Sequence, residues 1–402
     1  MNYGVGTYVS QLTTSLMKYS DINIYLVDYF SEKYNEFTII KSKNRLIEIN
    51  IPCPKIRLKD DNQIYKYATR LSDILTDFLH QVPNVVFLVN YPTTLPFVTE
   101  LKKRFKCSVL SVVHSAIWQM LTIGCKKKFI DVWMNRDEFE PAVTKELREE
   151  KQLYEIVDRI VSVTQYMRTF ISQYYDIPEE KIVVIPNGLD SSGFRFLNSH
   201  ERIKLKEQLG FQATEKIILF SGRLDKGKGL HFLLQAFNEV FRQNKNVSLV
   251  IMGEDSGMER INEFLSYCND SWSKVTFTGF LKYNEVIKFY QIADVGIIPS
   301  IYDHCPYTAI EMMAHSIPLI ISNTEGLNEM FTDSQAVYME PIYDIDGKIF
   351  FDINNLANTI LSLIYDEGKC KDIIKDYPEL IKNKFSSTRM AREMYEVLKS
   401  LS

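Results

Sequence analysis

Lys216-Ile217-Ile218-Leu219-Phe220-Ser221-Gly222-Arg223-Leu224-Asp225-Lys226-Gly227-Lys228-Gly229 decides how this chain is read. A short β-branched run ends in a glycine-rich turn, and an amphipathic stretch follows. That is one strand, one turn and one helix. The unit recurs on both sides. In the second half strands are expected at 216–220, 248–252, 275–278, 295–298 and 319–322. Helices are expected there at 229–242, 258–267, 284–291, 308–314 and 354–365. In the first half strands are expected at 22–27, 46–51, 85–89, 108–113, 160–163 and 182–185. The helices between them are expected at 7–18, 63–81, 95–105, 136–157 and 165–175, and a last helix at 387–398. Such alternation predicts an α/β protein with parallel sheets.

At 402 residues the chain should form two domains. The turn Pro186-Asn187-Gly188 opens a strand-free seam at about 187–202. This predicts a first domain over 1–190 and a second over 200–384, with the C-terminal helix, about 385–402, packing back on the first. Two doubly wound, Rossmann-like domains would then face each other across a cleft. In such sheets ligands bind beyond the carboxyl ends of the strands. The chain opens at Met1-Asn2-Tyr3-Gly4-Val5-Gly6-Thr7, already in a glycine turn entering a helix. A strand would normally precede that turn, so either it is absent or the recorded start is late.

The hydrophobic share of 46% and charged share of 24% are those of a globular protein. A net charge of -4 argues against a nucleic-acid partner. Cys53, Cys107, Cys125, Cys268, Cys305 and Cys370 are scattered without a C-x-x-C pair, which reads as buried free thiols in a reducing compartment. No apolar run has the length of a membrane span and no signal peptide opens the chain, so the expected location is the cytoplasm.

The chemistry concentrates in two segments. Arg223 and Lys228 flank a turn rich in glycine, with Gly222, Gly227 and Gly229 letting the backbone approach a ligand. Arg presents a planar fork and Lys a point charge, and both suit phosphate oxygens. Downstream, Asp303-His304-Cys305-Pro306-Tyr307-Thr308-Ala309-Ile310-Glu311 places two carboxylates eight positions apart around a loop-to-helix junction. Carboxylates accept from sugar hydroxyls, and free N–H groups at a helix start add donors for phosphate. Glu311 lies in an otherwise apolar stretch, where a carboxylate is expected to have partners. Cations for a diphosphate and carboxylates for hydroxyls together describe a pocket for a nucleotide-sugar.

These segments resemble the retaining glycosyltransferases of family 4, the glycosyl transferases group 1, with the GT-B fold. The likeness runs from Gly4-Val5-Gly6 to the last helix. It rests on Gly222-Arg223-Leu224 with Lys228-Gly229, the carboxylate pair, Pro318, and Glu325-Gly326-Leu327-Asn328-Glu329. Pro186-Asn187-Gly188-Leu189-Asp190 is similar to the family's inter-domain junction. The resemblance implies that Arg223 and Lys228 bind the donor diphosphate, Asp303 the donor sugar and Glu311 the ribose. Cys305, Tyr307 and Thr308, between the carboxylates, are assigned to donor binding. Gly4 and Gly6 would line the cleft from the other domain, and His114, at the end of its strand, resembles the active-site histidine. Arg223, Lys228, His114 and Asp303 are thus the expected catalytic set.

The implied reaction moves a sugar from a nucleotide diphosphate-sugar to an unidentified acceptor with retention, by front-face attack. No carboxylate nucleophile is assignable, no metal is expected, and the nucleotide-sugar is a substrate, not a cofactor. The chain departs from the family pattern at Asp303 (usually Glu), Pro306 and Ser316 (both often Gly). Two rival readings share the fold: a nucleotide-sugar epimerase or isomerase, and a non-catalytic nucleotide-sugar-binding protein.

Other signals are discounted. Asp344-Ile345-Asp346 spells a metal-site triplet but reads as a solvated turn. His80, His200, His231, His304 and His315 lack metal-ligand spacing. Residues 117–134 combine Trp118, Met120 and Trp133 with Lys126-Lys127-Lys128. Exposed, this stretch would make a peripheral contact with the inner face of a membrane. Packed, it would be an acceptor-pocket wall, which is the favoured reading. Lys102-Lys103-Arg104 reads as a helix end that complements the dipole.

Overall fold

The computed structural model describes residues 4–31, 36–41, 45–52, 61–91, 94–134, 141–254 and 261–402. Two lobes are built on separate sheets. In the first lobe, β1 (Ile24–Ser31), β2 (Thr38–Lys41) and β3 (Leu46–Pro52) form a small sheet in the order β1-β3-β2. β4 (Val86–Val89), β5 (Ser108–Val113), β6 (Arg159–Ser162) and β7 (Ile182–Val184) form a parallel sheet in chain order. The helices of this lobe are α1 (Val5–Leu16), α2 (Asp61–Leu79), α3 (Leu95–Arg104), α4 (Ile117–Thr122), α5 (Lys126–Met134), α6 (Pro141–Ile156) and α7 (Gln165–Tyr175).

Among the described residues, the strands of the first lobe lie in two sheets. β2 runs antiparallel to β3, and β1–β3 close their own small core with Leu71, Leu75 and Leu101. β2 is not among the strands expected from sequence. The helix expected at 136–157 is seen from Pro141, the favoured residue for a first helical position, since its missing N–H has no partner there anyway. Residues 135–140 lie outside the described residues, as do Cys53 and residues 258–260 of the helix expected at 258–267.

The second lobe holds α8 (Ser199–Gln208), β8 (Lys216–Ser221), α9 (Leu230–Gln243), β9 (Val247–Met252), α10 (Ile261–Leu265) and β10 (Val275–Gly279). It continues with α11 (Tyr283–Ile292), β11 (Val295–Ile298), α12 (Tyr307–Ala314), β12 (Leu319–Ser322), β13 (Val337–Met339) and the hairpin β14 (Ile342–Tyr343) to β15 (Ile349–Phe350). α13 (Ile353–Tyr365), α14 (Glu367–Ile374), α15 (Tyr377–Lys384) and α16 (Ser387–Leu401) end the chain.

The main sheet of this lobe runs β10-β9-β8-β11-β12-β13, with every pairing parallel. Helices cover both faces, so β9, β11 and β12 are buried at every residue and read as nearly continuous apolar runs, broken by Ser248 and Ser322. Strand order reverses between β8 and β11. The connections that follow them therefore leave toward opposite faces of the sheet and bound a crevice at the strands' carboxyl ends.

α8 occupies part of the expected seam. Its residues are mostly polar or charged, which hid it from a search for apolar periodicity, although Asn198 and Glu201 form a capping box at its start. The hinge segment Asn187–Leu189 is pinned on the second lobe: the Asn187 side-chain amide donates to the Cys305 carbonyl at 2.6 Å, and the Tyr307 hydroxyl to the Gly188 carbonyl at 3.3 Å. α16 then crosses back onto the first lobe. Tyr395 stacks on Tyr19 at 4.1 Å and donates to Asp21 at 2.7 Å, and Ser108 of β5 donates to the Leu401 carbonyl at 2.8 Å.

Candidate active site

The two chemical segments follow the two strands that flank the crevice. β8 ends at Ser221 and runs into Gly222-Arg223, and β11 ends at Ile298 just before the loop holding Asp303. Asp225 caps the turn Lys226–Lys228, its carboxylate accepting from the Lys228 backbone N–H at 2.9 Å. Gly229 has φ 67°, and a Cβ there would lie 1.8 Å from the Pro299 carbonyl oxygen. Only glycine lets the turn press this closely on the β11 loop. The approach carries the Lys228 ammonium to the Asp303 carboxylate, 2.5 Å away, and Ser300 donates to the same oxygen at 3.3 Å. Arg223 stays half-exposed, with its Nε 3.3 Å from Asp225.

α12 starts after Pro306, whose extended backbone serves as the cap. Lacking an N–H itself, Pro306 leaves Tyr307 and Thr308 as the amide donors of the first turn. The side chains of Cys305 and Tyr307 are buried toward the hinge, so any contact they make with a ligand is through the backbone. Ser316 follows the helix with φ 54°, a left-handed position that glycine adopts at less cost.

Glu311 lies one turn into α12. Tyr290 of α11 donates to its Oε2 at 2.8 Å and lies 3.4 Å from the Ser221 hydroxyl at the end of β8. Burial pushes the Glu311 carboxyl up to about 7, and the Tyr290 hydrogen bond offsets part of that. The carboxylate expected to need a partner has one, and Tyr290 ties it to the Gly222 turn. Nothing in the sequence pointed to Tyr290, because its role exists only once α11 packs beside β8.

On the first lobe, His114 follows β5 directly. Its Nε2 lies 3.1 Å from the Asn90 side-chain oxygen, and the buried ring of Tyr8 meets it edge-on at 4.6 Å. Burial lowers His114 to about 4, so the imidazole is neutral near pH 7, with Nε2–H as donor. Tyr8 belongs to α1, whose N-terminus holds Gly4 with φ 41° and, inside the first turn, Gly6. The partners of His114 are thus of its own lobe. Tyr8, which meets the His114 ring, packs in a core cluster that includes residues of the second lobe.

Two contacts across the cleft had no assigned role in the sequence reading. The Glu329 carboxylate accepts from the backbone N–H groups of Gln165, at 2.7 Å, and Tyr166, at 2.5 Å, so it sits on the positive end of α7. His304, set aside for lack of metal spacing, reaches Gln119 of α4 with its Nε2 at 2.6 Å. Asp344 accepts from the backbone of Asp346 and Lys348 and organises the β14–β15 turn. Among the described residues, no group of three His, Cys, Asp or Glu side chains is placed to hold a metal ion. No helix among them is long and apolar enough to cross a membrane.

Comparison with known proteins follows the same division. Residues 201–380 match the model of glycosyl transferases group 1, and residues 3–192 that of glycosyltransferase family 4. An uncharacterized glycosyltransferase of Methanocaldococcus jannaschii is 29% identical over 60% of this chain and 60% of its own length. A D-inositol 3-phosphate glycosyltransferase of Segniliparus rotundus is 30% identical over 44% of this chain and 40% of its own. The matched region thus spans less than two-thirds of these curated relatives. Among solved structures, sucrose-phosphate synthase from Thermosynechococcus elongatus superposes with a TM-score of 0.77, covering 99% of this chain and 93% of that one at 20% identity. The Anabaena protein HepE, solved with UDP and glucose, gives 0.69 over 89% and 87% at 17% identity. Two family models that between them span nearly the whole sequence, on a two-lobed α/β frame with parallel sheets, place this chain among the glycosyl transferases group 1, with the GT-B fold.

Proposed function

We propose that the chain transfers a sugar from a nucleotide diphosphate-sugar to a separate acceptor hydroxyl, with retention of configuration. The observation that supports this reading is the Lys228–Asp303 ion pair, which joins the Arg223–Lys228 turn after β8 to the Asp303–Glu311 segment after β11 where the strand order reverses. The Glu311 carboxylate accepts from the ribose diol while Tyr290 holds its other oxygen. Asp303 accepts from hydroxyls of the donor sugar. Arg223 and Lys228 face the diphosphate, and backbone N–H groups at the start of α12 add donors. His114 meets the transferred sugar from the other lobe as a neutral hydrogen-bonding group.

In the transfer, the bond from the anomeric carbon to the β-phosphate oxygen breaks, and its electron pair leaves with the phosphate. The acceptor oxygen bonds to the same face of the carbon, and its proton passes to the departing phosphate oxygen. Negative charge gathers on the diphosphate, so fixed cations bind the transition state more strongly than the ground state. In this reading those two side chains supply the positive charge, without a metal ion. The complexes of HepE with UDP and with UDP-glucose, in a protein of the same fold, favour a diphosphate ligand here.

A panel of uridine, guanosine, adenosine and thymidine diphosphates tests the site. At a hundredfold excess over its dissociation constant, the matching ligand adds about 2.7 kcal/mol to stability and raises the melting temperature by several degrees. No shift with any of the four overturns the nucleotide site. Turnover of a donor only when an acceptor is added separates transfer from isomerisation or mere binding.

A further inference from the structure

The lobes meet on a second front, away from Arg223 and Glu311. α4 and α5 of the first lobe face α9 and the β14–β15 hairpin of the second. The Cys125 thiol donates to the Asp346 carbonyl at 3.2 Å, and the Lys127 ammonium to the Ile345 carbonyl at 2.8 Å. Between these elements lies a cavity of about 530 Å³. Its walls are mainly apolar, with Leu121 and Ile123 on one side and Phe232, Ile301, Ile349 and Phe350 on the other. Lys128 and Lys348 line it from opposite lobes, and among the described residues neither ammonium has a hydrogen-bond or ion-pair partner. Asp131 and Asp346 also line it, while Lys226 is held by Glu263 at 3.0 Å.

The surface around this cavity is apolar as well. Met120 on α4, Ile123 just after it, Ile130 on α5, and Ile345 and Phe350 on the hairpin are exposed, Ile345 at 89%. Trp118 and Phe129 of the same stretch are buried. Residues 117–134 are therefore packed on one face and open on the other. Pockets at domain junctions with apolar walls and a few placed polar groups are the usual sites for small ligands. Unpaired ammonium groups beside such walls attract an anionic oxygen. The cavity is also next to the transfer centre: Lys226 and Ile301 line it, each two residues before Lys228 and Asp303.

We propose that this cavity takes an anionic amphiphile, an apolar chain ending in a phosphate, as the non-reacting carrier part of the acceptor. The apolar chain lies along Leu121, Ile301 and Ile349, and the phosphate is met by Lys128 and Lys348. The assignment to the acceptor rests on the glycosyltransfer reading; the binding site itself does not.

Titration calorimetry with decyl phosphate, decyl maltoside and inorganic phosphate, each below micelle formation, tests it on the full chain. Decyl phosphate should bind at least tenfold more tightly than either control. Lys128→Glu with Lys348→Glu, both at exposed positions, should weaken it at least tenfold, and Ile349→Trp should block it by filling the cavity. A nucleoside diphosphate, titrated into the same variants, should bind as to the wild type, which shows that they fold. Equal binding of decyl maltoside, or binding untouched by the charge-reversed pair, overturns the proposal. Sedimentation with anionic phospholipid vesicles that Ile349→Trp leaves unchanged overturns it too, since that is surface adhesion and not capture of a chain. Binding of decyl phosphate without any nucleoside diphosphate would retain the cavity and refute the transfer reading.

Discussion

Lys228 and Glu311 are the residues on which the proposed chemistry turns. Replacing Lys228 with Ala removes a charge that acts mainly on the transition state, so turnover should fall about 10²–10³-fold. The Lys228–Asp303 pair is partly exposed, and such pairs contribute about 1 kcal/mol or less, so the melting temperature should move by a few degrees at most. Loss of turnover that merely tracks loss of folded protein would mark Lys228 as structural. Glu311 gives a pH dependence. With its carboxyl raised to about 7, the group is mostly protonated at pH 6 and mostly ionised at pH 8. The ionised form accepts from both ribose hydroxyls, so nucleotide affinity should rise with pH through about 7. Glu311→Gln should bind more weakly at pH 8 and lose the part of the rise due to this group. Equal pH profiles for wild type and variant would refute the ribose assignment. Arg223, Lys228, Asp303 and Glu311 were legible in sequence because each combines a charged side chain with a glycine turn or an apolar helix. Tyr290 and Asn90 were not, since an uncharged partner is defined only by what it touches.

At the scale of elements, β8 with its turn and α9, and β11 with α12, were readable because apolar runs, glycine and proline mark their limits. α8 was not, although its capping box was a usable signal. The contact of Glu329 with α7 also escaped assignment, because a carboxylate and a helix start from different lobes share no sequence pattern. It is a clasp between the lobes. Each of its two charge-assisted hydrogen bonds contributes about 1.5–3 kcal/mol if fully sheltered, and less here, where solvent reaches it. Glu329→Ala should therefore favour lobe opening by about 1 kcal/mol or more. Energy transfer between one dye on each lobe should show a broader distance distribution in the variant. An unchanged distribution would show that Glu329 does not hold the lobes.

For the whole molecule, α16 is the strap. Met390, Met394 and Val397 are buried along it, and its far end rests on α1 and β5. Fully burying each such side chain contributes about 1.5–3 kcal/mol. A chain ending at Ser386 should lose several kcal/mol, and its first lobe should melt about 10 °C or more below the intact protein in calorimetry. A truncated chain that melts like the full one would show that α16 contributes nothing to that lobe. By itself the sequence determined the alternation of strands and helices, the glycine turn with its two cations, and the carboxylate pair beyond it. Those are local matters: backbone freedom, apolar periodicity and charge are written within a few residues. Only the tertiary structure decided the reversal of strand order at β8 and β11, the split of the first lobe into two sheets, and the cavity shared by both lobes. Strand order and lobe contacts arise from the burial of apolar faces brought together across long stretches of chain, and no short window of sequence records them.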